Sequence, residues 1–218
     1  MNKDFEYIHQ FAQNIEGWFG ENEAKTIFKL ASNLNNQGCI VEIGSWCGKS
    51  LSYISYGALK NGFNNKIYSI DPFLTSKNEY NGKFETFQDN LKKLNLLDKI
   101  THIREKSQIV GESFNENIEL LFIDGFHQYD FVKKDFELFY PLIIENGYFI
   151  LHDVCCYEGP TKLIEEIIQT RTDLKILAFE NLSIFTQKVK NLSPQEIESN
   201  KEFLNLIKTQ RPFGALVL

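Results

Sequence analysis

The chain is short of cysteine, of clustered positive charge and of long apolar runs, and each shortage excludes a class of protein. Its four cysteines, Cys39, Cys47, Cys155 and Cys156, include one adjacent pair and no C-x-x-C spacing. A disulfide framework or a cysteine zinc site is therefore not expected, and reduced thiols are the default. With 23 Lys and Arg against 29 Asp and Glu, the formal net charge is −6. The longest cationic runs are pairs such as Lys92-Lys93 and Lys133-Lys134, which read as solvated helix faces. Nucleic acid needs clustered cations to displace its counterions, so it is not an expected partner. No apolar run reaches about 18 residues, and the N-terminal residues lack the apolar centre of a signal peptide. A soluble, cytoplasmic protein with no membrane partner is expected. Neither a Ser/Gly linker nor an internal repeat divides the chain, so a single domain over residues 1–218 is predicted.

What is present is enough for a sizeable core: 43% hydrophobic residues, 14% aromatic ones, and 19 Phe. Apolar spacing predicts helices over residues 5–19 and 22–34, then short strands alternating with helices. Strands are predicted at 40–43, 66–70, 100–104, 120–123 and 148–151. Helices are predicted at 50–60, 84–96, 107–112, 129–140 and 161–170, with 142–145 continuing helically to an Asn146-Gly147 C-cap. Segments 174–179 and 182–187 read as a hairpin around Glu180-Asn181. Ser193-Pro194-x-Glu196 opens a last helix with a serine cap and proline at its first position. The polar, aromatic stretch 73–83 reads as a mobile lid.

This alternation implies an α/β fold with a doubly wound, mostly parallel sheet and an antiparallel edge from the closing hairpin. The core would span 38–187, after N-terminal helices in 1–37 and before a C-terminal helix and tail in 188–218. That tail, with Arg211-Pro212-Phe213, is a candidate element for homo-oligomerisation. Ligands of such sheets bind beyond the carboxyl ends of the strands. The residues predicted there are Glu42, Asp71, Arg104 with Lys106, Asp124, and His152 with Asp153.

The stretch Val41-Glu42-Ile43-Gly44-Ser45-Trp46-Cys47-Gly48-Lys49-Ser50 resembles a phosphate-binding loop but is one residue too short. A phosphate loop needs four residues between its first glycine and its Gly-Lys-Ser, so that backbone N–H groups can surround the phosphate. The dinucleotide fingerprint fails too, because Trp46 and Lys49 occupy its second and third glycine positions. The acid ending the first strand would repel phosphate and attract a cationic or hydroxyl-bearing ligand.

An acid-glycine first loop and an acid at the end of strand two resemble the class I S-adenosylmethionine-dependent methyltransferases, whose sheet has seven strands of a Rossmann-like kind. More narrowly, Gly44-Ser45-Trp46-Cys47-Gly48-Lys49-Ser50 is similar to the first motif of catechol-type, metal-dependent O-methyltransferases. Ile123-Asp124-Gly125-Phe126-His127 and Phe149-Ile150-Leu151-His152-Asp153-Val154 resemble a bacterial branch of that group, which includes macrolide-sugar O-methyltransferases and cephalosporin-hydroxylase-like proteins. The resemblance implies S-adenosyl-L-methionine as cofactor. Glu42, Gly44 and Ser45 would face its methionine end, with Gly48 and Ser50 completing the loop. Asp71 would take the ribose hydroxyls, Ser107 and Gln108 would edge the adenine, and Phe126 would cover its face. Asp124 would lie between cofactor and acceptor.

Methyl transfer to a hydroxyl needs the oxygen deprotonated and held in line with the sulfonium. A divalent cation, Mg or Mn, on Asp124 and Asp153 would lower the hydroxyl pKa. His152 stands where related enzymes supply a third ligand; as a softer donor it suits Mn, Fe or Zn better than Mg, or it orients Asp153 or contacts substrate. His127, with an ordinary pKa near ~6.5, is the candidate general base, whereas His9 and His102 read as ordinary surface or loop residues. Phe73, Tyr80, Phe84, Tyr129 and Tyr157 are candidate pocket aromatics. The expected activity is O-methylation of a small hydroxylated acceptor, such as a sugar or natural-product intermediate. The alternatives are a nucleoside-binding scaffold without catalysis and a P-loop-like kinase; binding of S-adenosylmethionine against ATP-Mg separates the last.

Overall fold

The computed structural model describes residues 3–74 and 83–210. Tyr80, most of the expected lid and Arg211-Pro212-Phe213 lie outside the described residues. Seven strands, β1 (Cys39–Ile43), β2 (Ile67–Ile70), β3 (Thr101–Ile103), β4 (Ile118–Ile123), β5 (Ile143–Leu151), β6 (Leu174–Glu180) and β7 (Ser183–Lys188), form one sheet in the order β3-β2-β1-β4-β5-β7-β6. The first five are parallel, and β7 runs antiparallel to both β5 and β6. The expected mostly parallel sheet with its closing hairpin is what the chain forms.

The central strands are covered on both faces, which is why they read as apolar runs rather than alternating ones. All six residues of β4 are buried. Their side chains divide by parity. Ile40, Leu120, Phe122 and Ile150 pack with α1 (Lys3–Ala12), α2 (Glu21–Ala31) and α3 (Lys49–Lys60). Val41, Ile43, Leu121, Ile123, Phe149 and Leu151 face α6 (Tyr129–Phe139) and α7 (Glu158–Thr170). Between them in the chain lie α4 (Lys83–Lys93) and the one-turn-scale helix α5 (Ser107–Gly111). A last helix, α8 (Pro194–Gln210), begins with the expected reciprocal cap. The Ser193 N–H and hydroxyl donate to Glu196 at 2.9 and 2.8 Å, and the Glu196 N–H returns to Ser193 Oγ at 3.3 Å.

Two predicted elements differ. The first helix ends at Ala12, not at residue 19. Phe19 is buried in a loop instead, edge-on to Phe122 and against the His152 ring, and Gly17, at φ 146°, has its carbonyl bonded by Lys49 Nζ at 3.0 Å. Buried loop aromatics thus imitated helical spacing. Residues 143–145 are not helical either. After a short 3-10 turn at Tyr140–Leu142 the chain enters β5, and Asn146 adopts φ 67° within it. Pairing moves from Ile118↔Ile143 to Leu120↔Tyr148, so Asn146-Gly147 forms an excursion in a strand, not a helix cap. Left-handed Asn serves both purposes, and β-branched Ile143 and Ile144 favour the strand.

Strand order reverses between β1 and β4, with β2 and β3 on one side and β5 to β7 on the other. Their carboxyl ends are tied across: Asp124 N–H to Ile43 O at 2.8 Å, and His152 N–H to Ile123 O at 3.0 Å. In open α/β sheets this reversal is where ligands bind.

Candidate active site

The β1–α3 turn forms one wall. Gly44 sits at φ 85°, and a Cβ there would lie 2.0 Å from the Asp124 carbonyl oxygen, so only glycine lets the two strand ends meet. Gly48, at φ 84°, caps α3. The turn has few free donors: the Gly48 N–H is used by Ser45 O at 2.7 Å, and the Trp46 N–H by Asp71 Oδ2 at 2.9 Å. Two of the N–H groups that a phosphate nest would need are thus already engaged within the fold. The Phe73 N–H takes the other Asp71 oxygen at 2.6 Å, so the carboxylate at the end of β2 is fixed in orientation with lone pairs to spare. Burial raises the Asp71 pKa against those backbone donors.

Glu42 lies beneath this turn and is wholly buried. The Ser50 hydroxyl donates to its Oε1 at 2.7 Å, while Oε2 has no partner. Burial pushes its pKa up to about 8, despite help from Ser45 and Ser50, so the folded chain holds it mostly protonated at neutral pH. Ser45 itself bonds Ser69 Oγ at 2.7 Å.

The second wall brings together the histidines and aspartates. Asp124, His152 and Asp153 each offer a ligand atom, all within 4.8 Å of one another. His152 Nδ1 is 3.1 Å from Asp124 Oδ1 and 3.4 Å from Asp153 Oδ1. His127 Nε2 is 2.7 Å from Asp153 Oδ2 and 4.0 Å from Asp124 Oδ1. Asp153 reaches inward because its backbone adopts φ 60°. His127 stacks on Tyr157, centroids 4.0 Å apart and 15° between planes. Close packing of α7 holds that loop: a Cβ on Gly159 would fall 2.1 Å from His127 O.

One contributor was missed from sequence. Glu23, from the first turn of α2, is buried beside His152, with Oε1 3.3 Å from Nε2. It accepts from the Gly20 N–H at 2.7 Å and from Ser183 Oγ at 2.7 Å. A glutamate in a helix's first turn looks like a capping-box acid, and it is one; nothing local reveals that its other oxygen backs a histidine 129 positions on. Three carboxylates thus surround His152. Burial opposes its charge, but Asp124, Asp153 and Glu23 raise its pKa far above the ordinary value, to about 12. Burial likewise opposes charge on His127, yet Asp124 and Asp153 raise it to about 9. Asp153 is held well below the carboxylate range: burial works against its charge, but both histidines outweigh it. His127 is consequently an imidazolium at neutral pH in this state, and not the free base that its ordinary pKa suggests.

The two residues expected at the adenine edge are tied to α6. The Ser107 hydroxyl and the Gln108 amide both donate to Asp135 Oδ1 on α6, at 2.7 and 2.6 Å. Asp135 is buried, and sequence spacing gave it no signal beyond an acid in an amphipathic helix. Phe126 is 59% exposed and meets Phe131 edge-on at 5.1 Å, free to cover a ligand face. Among the candidate pocket aromatics, Tyr157 stacks on His127, and Phe73 meets Asp71 through its backbone N–H. Phe73 and Phe84 pack with Phe87, and Tyr129 pairs with Glu166 and Lys133 between α6 and α7. His9, on α1, bonds Tyr53 at 2.9 Å, and His102, in β3, packs on Phe84, so neither is in a loop.

Comparison with known proteins decides the family. A methyltransferase domain family matches residues 41–154, more than half of the chain. The chain belongs to that family. It is a methyltransferase of the S-adenosylmethionine-dependent class, as the motif resemblance implied. An uncharacterized protein of Acanthamoeba polyphaga mimivirus is 27% identical over 177 residues, covering 75% of this chain and 76% of its own length. Among solved structures, the O-methyltransferase NovP superposes with a TM-score of 0.65 at 18% identity, covering 78% of this chain and 81% of its own. An O-methyltransferase from Bacillus cereus, in complex with SAH, gives 0.60 at 16% identity, covering 87% and 92%. At such identities the structures share the fold. No helix among the described residues of the methyltransferase is long and apolar enough to cross a membrane.

Proposed function

We propose that this methyltransferase transfers the methyl group of S-adenosylmethionine to a hydroxyl of a small acceptor, a sugar or a natural-product intermediate, with a divalent cation assisting. The observation that carries the reading is the convergence of Asp124, His127, His152 and Asp153 beside the Gly44–Gly48 turn, at the reversal of strand order. Structures of similar fold that are O-methyltransferases add support. Gly44, Ser45, Gly48 and Ser50 with buried Glu42 would shape the methionine end, Asp71 the ribose, and Ser107, Gln108 and Phe126 the base. A cytoplasmic location and self-association are part of this reading.

The donor set fits a cation. The Asp124 and Asp153 carboxylates would hold a cation, and His152 would join them on giving up the proton that the surrounding carboxylates keep on it, a donor set suited to Mn or a similar metal as well as Mg. A cation held by Asp124 and Asp153 would supply Lewis acidity to the acceptor oxygen and would offset the carboxylate charge that keeps His127 protonated. The protein's own groups do the rest. His127 Nε2 receives the acceptor's proton, and Asp153 Oδ2 stabilises the imidazolium that results. The oxygen's electron pair takes the methyl as the carbon–sulfur bond breaks, leaving the neutral thioether S-adenosylhomocysteine.

Calorimetric titration with S-adenosylmethionine and with ATP-Mg tests the first half; tight ATP binding without S-adenosylmethionine binding would sink it. Asp153→Ala is expected to retain S-adenosylmethionine binding within about threefold while slowing methyl transfer by a factor of roughly 100 or more. Equal turnover in Asp153→Ala would remove the proposed role of the acid-histidine cluster.

A further inference from the structure

The ring of His152 is buried, packed against Phe19 and Phe122 at centroid distances of 5.7 and 6.2 Å. Its two nitrogens face different carboxylates. Nδ1 lies 3.1 Å from Asp124 Oδ1 and 3.4 Å from Asp153 Oδ1, whereas Nε2 faces Glu23 Oε1 at 3.3 Å. That last contact is one of charge, since Nε2 makes no well-aligned hydrogen bond. Glu23 is held in place by four donors. The Gly20 N–H at 2.7 Å and Asn181 Nδ2 at 3.3 Å reach Oε2, while Ser183 Oγ at 2.7 Å and the Leu182 N–H at 3.4 Å reach Oε1.

A neutral imidazole carries one ring N–H, and only the other nitrogen can ligate a metal. A lone pair on Nε2 would face the Glu23 oxygen acceptor against acceptor, in a buried place where such a mismatch is costly. Asp124 and Asp153 make the same demand on Nδ1 until a cation takes up their charge; Glu23, at the opposite edge of the ring, makes its demand on Nε2 throughout. We propose that Glu23 is a positioning residue for the cation: it keeps the ring hydrogen of His152 on Nε2 and so presents the Nδ1 lone pair to an ion held by Asp124 and Asp153. The inference deepens the cation reading above and rests on it. Glu23 acts through His152 alone, so α2 contributes to the ion's affinity without supplying a ligand.

Binding of Mn to the full chain, followed by electron paramagnetic resonance, tests this apart from turnover. Glu23→Gln keeps the side chain's shape, but the Gly20 N–H claims its amide oxygen, which turns the NH2 toward Nε2 and favours the hydrogen on Nδ1. The variant is expected to bind Mn about 10–100-fold more weakly than the natural sequence, with its affinity for S-adenosylhomocysteine kept within about threefold. A purely structural Glu23 would leave the Mn affinity of a Glu23→Gln chain that folds, as judged by circular dichroism, unchanged; that result overturns the proposal and leaves the cation reading intact. Should the variant fail to fold, nitrogen NMR of the zinc-loaded natural chain decides, with the His152 ring signals assigned by their loss in His152→Gln. Hydrogen on Nε2 and zinc on Nδ1 are expected; the reverse, or a His152 ring without zinc, overturns the proposal. If the natural sequence binds neither Mn nor zinc, the cation reading falls and the proposal with it.

Discussion

Gly44 and Glu42 show how much a single residue controls here. Gly44 combines a positive φ with a Cβ position 2.0 Å from a backbone oxygen, so neither rotamer change nor a yielding side chain can relieve a substitution. Gly44→Ala is expected to destabilise the chain by roughly 2–4 kcal/mol, seen as a lowered urea midpoint at unchanged slope. Glu42 behaves differently, through protons. Its pKa is about 8 when folded against 4.5 as a free side chain, so the folded state keeps a proton that the unfolded state has released. Stability from this group is therefore full below about pH 4.5 and is lost as pH rises to 8, at up to about 1.4 kcal/mol per pH unit. Urea unfolding between pH 5 and 8 checks this in comparison with Glu42→Gln, which should flatten the slope. Identical slopes would mean that Glu42 is ionised in the folded chain.

Elements are joined by buried carboxylates more than by loops. Glu23 ties the start of α2 to the β6–β7 turn through Ser183 and to the end of β5 through His152. Removing it leaves several buried donors and an imidazolium short of a partner, so Glu23→Ala should cost on the order of 3 kcal/mol, a thermal shift of several degrees. Ser193→Ala, which removes only an exposed helix cap, should cost about 1 kcal/mol. If the two variants melt alike, the link through Glu23 carries no structural load. This is also the scale at which sequence reading succeeded and failed. Short apolar runs ending in an acid and a glycine gave β1, β4 and the parallel sheet, because both faces of such strands must be apolar. The Asn146-Gly147 pair misled, since left-handed asparagine ends helices and interrupts strands equally well, and only pairing with β4 separates the two. Ile15 and Phe19 misled likewise: a buried loop has no period.

The whole molecule gathers its ligand-bearing groups on one rim while its helices seal both faces of the sheet. A ligand seated there stabilises only the folded chain, so S-adenosylhomocysteine at a hundred times its dissociation constant should add about 2.7 kcal/mol to unfolding. Absence of any thermal shift at saturating S-adenosylhomocysteine would contradict the cofactor reading. The charges on that rim are collective. The carboxylates that hold His127 and His152 charged combine a neighbour in sequence, Asp124 for His127 and Asp153 for His152, with partners brought in by the fold, Asp153 for His127 and Asp124 and Glu23 for His152.

By itself the sequence determined the order of strands and helices, the short Gly44–Gly48 turn, and the acids at strand ends, since these follow from local patterns of burial and backbone freedom. It also identified Asp124, His127, His152 and Asp153 as one group, because strand ends in a parallel sheet must share an edge. Only the tertiary structure decided how those groups are protonated and what backs them. Glu23 and Asp135 sit on amphipathic helices where an acid is unremarked, and they gain meaning only from the partners that folding buries against them. Proton affinity is set by burial and by charges from several elements together, and that sum is not written in any short stretch of residues.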